Sequence, residues 1–519
     1  MKSFLSRFGA LVCFVLYGFD RLRFRGDSRL LNNARGVDSY LYQQHVRYTD
    51  FPDHAQRLTQ RLRRETERRA KQEGVPLVPL NSPEIDKEAV ALRLAAEHRR
   101  STGPIAVLSC VESCMVYRLR KNDVGWIKPV KIPGKGLHYY HYFLHEAFGL
   151  CYVRVQSWFP FTIHVGINGR QWLYRQLEQH GVPFARRNNL LLRVADPDRA
   201  QALLAAQPHQ DWPLLLGELV RPVQPLWPYL HEQVRTPYYW TTEQSEWATD
   251  FVFDAPAELA RWYRCWLRHG IETLQCKDVL RFLGRKVPTD GYGSCTGEAK
   301  IDLRDRTEGT RLKFWYGTNS LKIYDKEGQA LRIETTINQP RGFKVYRTKE
   351  NDEPGAAKSW QAMRKGVADL PRRSEVSQAA NNRLAESLAT VAEPSTLGDL
   401  LGPLGQPVFV AGRRRARALN PLTGADGALL RALGQGDYLV NGFRNRDLRV
   451  TLNGARAAAA ERRRQAATVT RQLALLRAHG LIIKVPKTHR YHLSALGRRI
   501  VTALLTAHAS DVNRLAAGA

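Results

Sequence analysis

The sequence predicts an α+β protein: an antiparallel-sheet N-terminal and central region with helices, followed by a small C-terminal domain of helices and one hairpin. Three observations lead there. Between residues 105 and 167, runs such as "IAVLSCVESCMVYRL" and "LCYVRVQSWF" are spaced as strands, with side chains alternating between two faces. Residues 298 to 338 return to that period in successive runs broken by short polar turns. Beyond residue 420 the period lengthens to that of amphipathic helices, interrupted by a pair of short apolar runs. With 519 residues, 43% of them hydrophobic, the chain can bury several cores.

At the N-terminus, basic residues precede an apolar run from Ala10 to Phe19. The run is too short to cross a bilayer, and Asp20, Arg21 and Arg23 follow where a cleavage site needs small residues. A buried helix continuing into the fold is expected there. Residues 53–73 and 84–100 read as charged amphipathic helices, so 1–100 is a helical N-terminal region. Strands at 105–119, 136–145, 150–159 and 161–167 follow. A helix at 171–181, a strand at 189–195 and a helix opening on "DPD" complete an α+β domain over 101–215. Residues 246–285 read as mostly helical and 298–338 as strands, giving an α+β domain with an antiparallel meander over 216–346. A polar connection, a helix and the basic linker "GRRRARALNPLTG" occupy 347–420. No other apolar run is long, so no membrane partner is expected. Seven scattered cysteines without a CxxC pair suit reduced thiols and a cytoplasmic location.

Charge points to the partner. The chain carries 79 Lys and Arg against 49 Asp and Glu, a net of +30. Such a balance calls for a polyanion, of which DNA is the leading case and RNA an open alternative. Residues 401–519 hold 20 Lys and Arg against 5 Asp and Glu, a net of +15. Within them, 421–510 reads as helix, helix, helix, two-stranded hairpin, helix, the order of a winged-helix DNA-binding domain. On the third helix, Ala466, Val469, Leu473 and Leu476 share one face, while Arg462, Arg463, Gln465, Thr468 and Arg471 lie mainly away from it. The hairpin that follows carries Lys484, Lys487, His489 and Arg490. A helix of this kind can read base edges in the major groove of a duplex while the basic hairpin holds phosphates. The stretch "TVTRQLALLRAHGLIIKVPKTHRYHLSALGRRI" resembles the winged helices of MarR-type regulators, which implies a DNA-binding shape.

The stretch "NSLKIYDKEGQALRIETTIN" raises a different chemistry. A three-residue loop, Glu327 to Gln329, pairs Ile323 with Ile333 and Lys322 with Glu334, keeping apolar and polar faces apart. With the two preceding strands, one face then gathers Asp302, Lys313, Lys322, Tyr324, Arg332 and Glu334, and Asp325 sits at the strand end. Ile301, Leu303, Leu312, Phe314, Ile323 and Ile333 are the expected core. Clustered carboxylates can bind Mg²⁺ or Mn²⁺, and a tyrosine hydroxyl can attack a phosphodiester beside such an ion.

Residues 312–338 resemble the "(K/R)xYDK…LRxE" segment of rolling-circle replication initiators from filamentous phages and plasmids, and of related relaxases. The resemblance implies a mobile-element nickase with Tyr324 as nucleophile and Asp325 and Glu334 at its acidic positions. Asp302 would be a third metal oxygen donor; Lys322, Lys326 and Arg332 would hold the DNA strand. The metal-binding His-hydrophobic-His of many initiators has no counterpart, because His138 and His141 are spaced to opposite strand faces. Tyr346 is a second candidate nucleophile. Aromatic residues in "HYYHYFLH" and "VQSWFPF" could stack on single-stranded DNA. The alternative is a non-enzymatic, regulator-like winged-helix protein whose α+β part is a scaffold or partner-binding domain.

Overall fold

The computed structural model describes residues 1–121, 123, 125–274, 276–284, 297–303, 309–348, 357–391, 397–410, 414–435, 438, 442–455, 458–486 and 488–510. The chain is mixed α+β and forms two compact units. One draws on residues 17–247 and 337–374, the other on 1–16, 248–336 and 375–519. Among the described residues no helix is long and apolar enough to cross a membrane. Cys13, Cys110, Cys114, Cys151 and Cys265 are free thiols.

The unit of residues 17–247 and 337–374 is built on a sheet ordered β2-β3-β4-β5-β6-β1-β9. The strands are β1 (Val12–Ser28), β2 (Leu77–Leu80), β3 (Gly103–Lys121), β4 (Ile127–His145), β5 (Gly149–Gln156), β6 (Ile163–Asn168) and β9 (Tyr238–Phe253). β2 runs parallel to β3, whereas β3–β4, β4–β5, β5–β6 and β6–β1 are antiparallel, so the sheet is mixed. The expected helix at 10–19 is corrected to the start of β1. Its aromatic and β-branched residues suit a pleated surface, and Leu22, Phe24, Gly26 and Ser28 are buried at alternate positions. A short helix, α1 (Lys2–Phe8), precedes it.

Four helices of this unit lie near the positions expected, and the one opening on "DPD" carries the expected cap. Helix α3 (Phe51–Gln72), which comes after α2 (Ala34–Gln43), buries Ala55, Leu58, Leu62, Thr66 and Ala70 along one stripe. Asp86 caps α4 (Lys87–Glu97), Asn168 caps α5 (Gly169–Gln179), and Asp196 caps α6 (Pro197–Ala206), which has proline in its first turn. Helix α7 (Trp212–Val220) follows, and β7 (Phe184–Arg187) and β8 (Leu190–Val194) form a separate hairpin. His138 and His141 point to opposite faces of β4, as their spacing requires, and both are buried. Burial holds each imidazole down to about 3.

In the other unit, β10 (Gly297–Leu303), β11 (Thr310–Tyr316), β12 (Asn319–Lys326) and β13 (Ala330–Ile337, of which 330–336 belong here) form the anticipated meander. The C-terminal end of β9 adjoins β13. The reading of 246–285 as mostly helical is corrected at its start: 246–253 belong to β9, and helix begins with α8 (Pro256–Thr273) and α9 (Cys276–Phe282). The pairing of β12 with β13 sets Ile323 against Ile333 and Lys322 against Glu334, the register of a three-residue loop. Glu327 and Gly328 there adopt φ of 56° and 65°, which glycine tolerates best.

One face of this meander packs on helices. Leu312, Phe314, Ile323 and Ile333 are buried on it. A Cβ on Gly270 of α8 would stand 2.4 Å from Leu312 Cδ2, so glycine permits that approach. From α10 (Leu370–Leu388), Asn381 Nδ2 donates to Ile333 O at 3.1 Å and its Oδ1 accepts from Thr335 Oγ1 at 2.7 Å. The expected core residues Ile301 and Leu303 lie in β10, whose side chains fall outside the described residues. Part of the polar stretch 347–375 is strand: β14 (Lys344–Arg347) pairs with β15 (Ser359–Ala362).

Candidate nucleic-acid interface and a buried hairpin cluster

After α11 (Leu397–Leu401) and the short pair β16 (Val408–Val410) and β17 (Arg414–Ala416), the C-terminal segment proceeds through α12 (Gly424–Leu433), β18 (Phe443–Arg444), α13 (Asn445–Asn453) and α14 (Ala459–Ala478). Then come β19 (Ile482–Lys484), β20 (Arg490–Leu493) and α15 (Ala495–Ala509). Its three strands pair in the order β18-β20-β19. Leu430, Phe443, Leu448, Leu473, Leu476 and Ile500 anchor a core of its own. Gly442 has φ of 65°, and a Cβ there would sit 2.2 Å from Tyr491 O, so only glycine lets the chain enter β18 this close to β20.

Local hydrogen bonds fix α13 against α14. Asp447 accepts the Arg444 N–H at 2.9 Å, closing the first turn of α13. Asn445 Nδ2 donates to Ala466 O and to Thr470 Oγ1, each at 2.9 Å. Val469, Leu473 and Leu476 turn inward, as their spacing indicates, while Ala466 is half-buried.

The outer face of α14 is therefore presented as read from the sequence. Arg462, Arg463, Thr468 and Arg471 are exposed, and Gln465 is half-buried with Arg449 Nη1 donating to its Oε1 at 3.4 Å. Thr468 donates to Arg464 O at 3.2 Å and receives Arg471 Nη2 at 3.3 Å, which steers that guanidinium across the face. In the loop between β19 and β20, Thr488 Oγ1 bridges Val485 O at 3.0 Å and the Arg490 N–H at 3.1 Å. Lys484 and His489 are exposed there and Arg490 is half-buried; Lys487 lies outside the described residues. Charged donors on one helix and an adjoining hairpin suit phosphate oxygens, and Arg471 and Gln465 have the forked geometry that reads base edges.

The hairpin of β12 and β13 tells another story. Lys322, Tyr324, Lys326, Arg332 and Glu334 share a face, and all are buried. Glu334 Oε1 lies 2.6 Å from Lys322 Nζ, and its Oε2 accepts the Tyr324 hydroxyl at 2.9 Å. Arg332 is held by Asp250 of β9 through two contacts, Nε–Oδ1 at 2.5 Å and Nη2–Oδ2 at 2.8 Å. Lys322 and Lys326 stand 5.5 and 6.0 Å from the centre of the Tyr324 ring.

Asp325 lies on the opposite face, with Ile323 and Leu331, where burial raises its carboxyl above the ordinary range. The structure therefore does not bring Asp325 and Glu334 together, because successive strand residues alternate faces. Asp302 pairs with Arg311 in register, and its side chain lies outside the described residues. With Asp325 turned to the other face, Asp325 and Glu334 do not converge on one Mg²⁺ or Mn²⁺. Tyr346, the second tyrosine, is exposed on β14 beside Trp360, with ring centroids 5.4 Å apart.

Sequence reasoning missed Asp250 because the segment holding it was read as helix. The available signal was a lone acid inside the apolar run "TDFVF", which demands a buried cationic partner. No protein-family model matches the chain, and no curated protein or solved structure is significantly similar to it.

Proposed function

We propose that the protein binds duplex DNA through a C-terminal winged-helix domain, with the rest of the chain as its α+β scaffold. The observation that carries this reading is the outer face of α14, where Arg462, Arg463, Thr468 and Arg471 stand exposed beside the basic β19–β20 hairpin. The order α12, β18, α13, α14, β19, β20, α15 and the β18-β20-β19 pairing agree with a winged helix, and the +15 balance of 401–519 supplies the electrostatic drive. On this reading α14 enters the major groove and the hairpin grips the backbone.

Nicking through Tyr324 requires its hydroxyl to leave Glu334 and reach a phosphodiester from a position 2% exposed. The burial of that cluster favours the binding reading, with the hairpin as an internal brace. The test is a duplex-binding titration of the full-length protein across a salt series. Affinity should fall steeply and linearly in the logarithm of salt concentration, with a shallower slope in Arg462→Ala/Arg463→Ala. A flat salt dependence defeats the proposal. A covalent DNA adduct lost in Tyr324→Phe would restore the nickase.

A further inference from the structure

A second feature lies away from α14. A cleft of about 840 Å³ opens between α1, α8, the C-terminal end of α10 and the start of α15. That volume is near the top of the roughly 300–1,000 Å³ range of small-ligand sites. Among its described lining residues, Arg7, Arg261, Arg498 and Arg499 stand against one carboxylate, Glu386, and Arg261 also pairs with Glu258 outside the lining at 3.5 Å. Glu386 is already occupied by the Met1 amino group and by the Ser3 N–H at 3.0 Å. The cleft is thus cationic, and its flat wall is Trp262.

Trp262 is set for stacking. Phe8 packs edge-on against it at 4.8 Å and Trp266 lies 6.3 Å away, which holds the indole in place. The guanidinium carbons of Arg261 and Arg7 lie 5.3 and 5.7 Å from the Trp262 ring centre. Arginine planes and indoles are the surfaces on which unpaired bases stack. Two donors at the cleft, Trp262 Nε1 and Arg498 Nε, are buried with no hydrogen-bond partner among the described residues. Buried donors without acceptors are costly and point to a ligand that supplies oxygen or nitrogen lone pairs.

We infer that this cleft binds an unpaired nucleotide of a nucleic-acid strand, its base against Trp262 and its phosphate at Arg498 and Arg499. The charge selects an anion, the indole selects a planar aromatic group, and a nucleotide joins the two. A strand is chosen over a free nucleotide because the arginines are spread over α1, α8 and α15, the last belonging to the basic C-terminal segment. The inference does not depend on α14 reading duplex DNA.

The experiment uses the full-length protein and an oligothymidylate carrying one 5-iodouracil, with duplex binding measured in parallel. Photocrosslinking should map to Trp262. Trp262→Ala and Arg498→Glu should each weaken oligothymidylate binding by about tenfold and leave duplex affinity unchanged. Trp262→Phe should retain most of the binding, since a ring remains. Should Trp262→Ala fail to fold, the crosslink map and Arg498→Glu decide. Crosslinks confined to other residues, or unchanged affinity in Arg498→Glu, overturn the inference. So does thymidine monophosphate competing as well as the oligomer, which makes the site one for free nucleotides. Oligoglutamate competing equally means a general anion surface and also overturns it. Loss of duplex binding alone, with the Trp262 crosslink intact, defeats the winged-helix proposal and leaves this one standing.

Discussion

Glu334 faces Lys322 directly across the β12–β13 ladder, Oε1 to Nζ 2.6 Å, and the glutamate is fully enclosed. An ion pair withdrawn from water is a poor source of net stability but a costly one to halve. Glu334→Ala should therefore lower stability by about 3–5 kcal/mol by stranding the lysine, read from the urea midpoint. Replacing both partners, Lys322→Met with Glu334→Leu, should recover most of the loss. A double variant no better than the single one would show that the pair is not the operative contact.

Tyr324→Phe should cost about 1–3 kcal/mol, because the charged acceptor Glu334 loses the hydrogen bond that the hydroxyl donates. Its duplex affinity should match the wild type. A drop in DNA binding at unchanged stability would place this hydroxyl at the interface instead.

Ile333→Ala should cost about 2–5 kcal/mol, since the side chain is fully buried, paired across the ladder with Ile323. Thermal unfolding measures it.

The register of the hairpin was legible because period-two alternation and the loop length leave one pairing that keeps Ile323 with Ile333. The direction of the polar face was not. Charged residues at alternate positions look alike whether they face water or one another, and only tertiary packing tells Lys322 and Arg332 from solvated side chains. Asp250 was hidden because its segment was read as helix rather than as the end of a strand. Residues 10–19 were misassigned as well, since a short apolar run fits a buried helix or a buried strand equally well. The faces of α14 were readable throughout, since Val469, Leu473 and Leu476 fix the helix rotation and leave its arginines only the outer side.

Acid should act in two windows. Burial alone holds the His269 imidazole down to about 4, against roughly 6.5 in an unfolded chain. Between those values the unfolded chain takes a proton that the folded one refuses, so stability falls as pH drops from about 6.5 to about 4. His269→Gln should make that slope shallower, while His138 and His141, also held down by burial, keep the rest of it. Asp426 behaves differently: its hydrogen bonds from Arg417, chiefly, hold its carboxyl below the usual range. Its contribution is full above the unfolded value of about 3.9 and disappears as pH falls through the lower folded value. Asp426→Asn should therefore lower stability at neutral pH and converge with the wild type only in strong acid. Denaturation followed in half-unit pH steps separates the two.

On DNA, Arg471→Ala should relax preference at one or two base pairs by about 1–3 kcal/mol, since the guanidinium is aimed outward by Thr468. Lys484→Ala should weaken all duplexes alike and reduce the salt slope by about one. Competition among randomised duplexes distinguishes these outcomes; uniform weakening by Arg471→Ala would move base reading elsewhere.

The unit that begins with α1 is assembled from three separated lengths of chain, 1–16, 248–336 and 375–519. Phe4 rests on Phe251 and Trp266, and the Ser3 N–H finds its acceptor in Glu386, 383 positions later. During synthesis, at roughly 5–20 residues per second, α1 leaves the ribosome about 20–80 s before that acceptor does. Until Phe251, Trp262 and Trp266 follow, about 12–50 s after α1 at that rate, Phe4 and Phe8 have no native surface to cover them, which makes this segment of the nascent chain a natural target for chaperones.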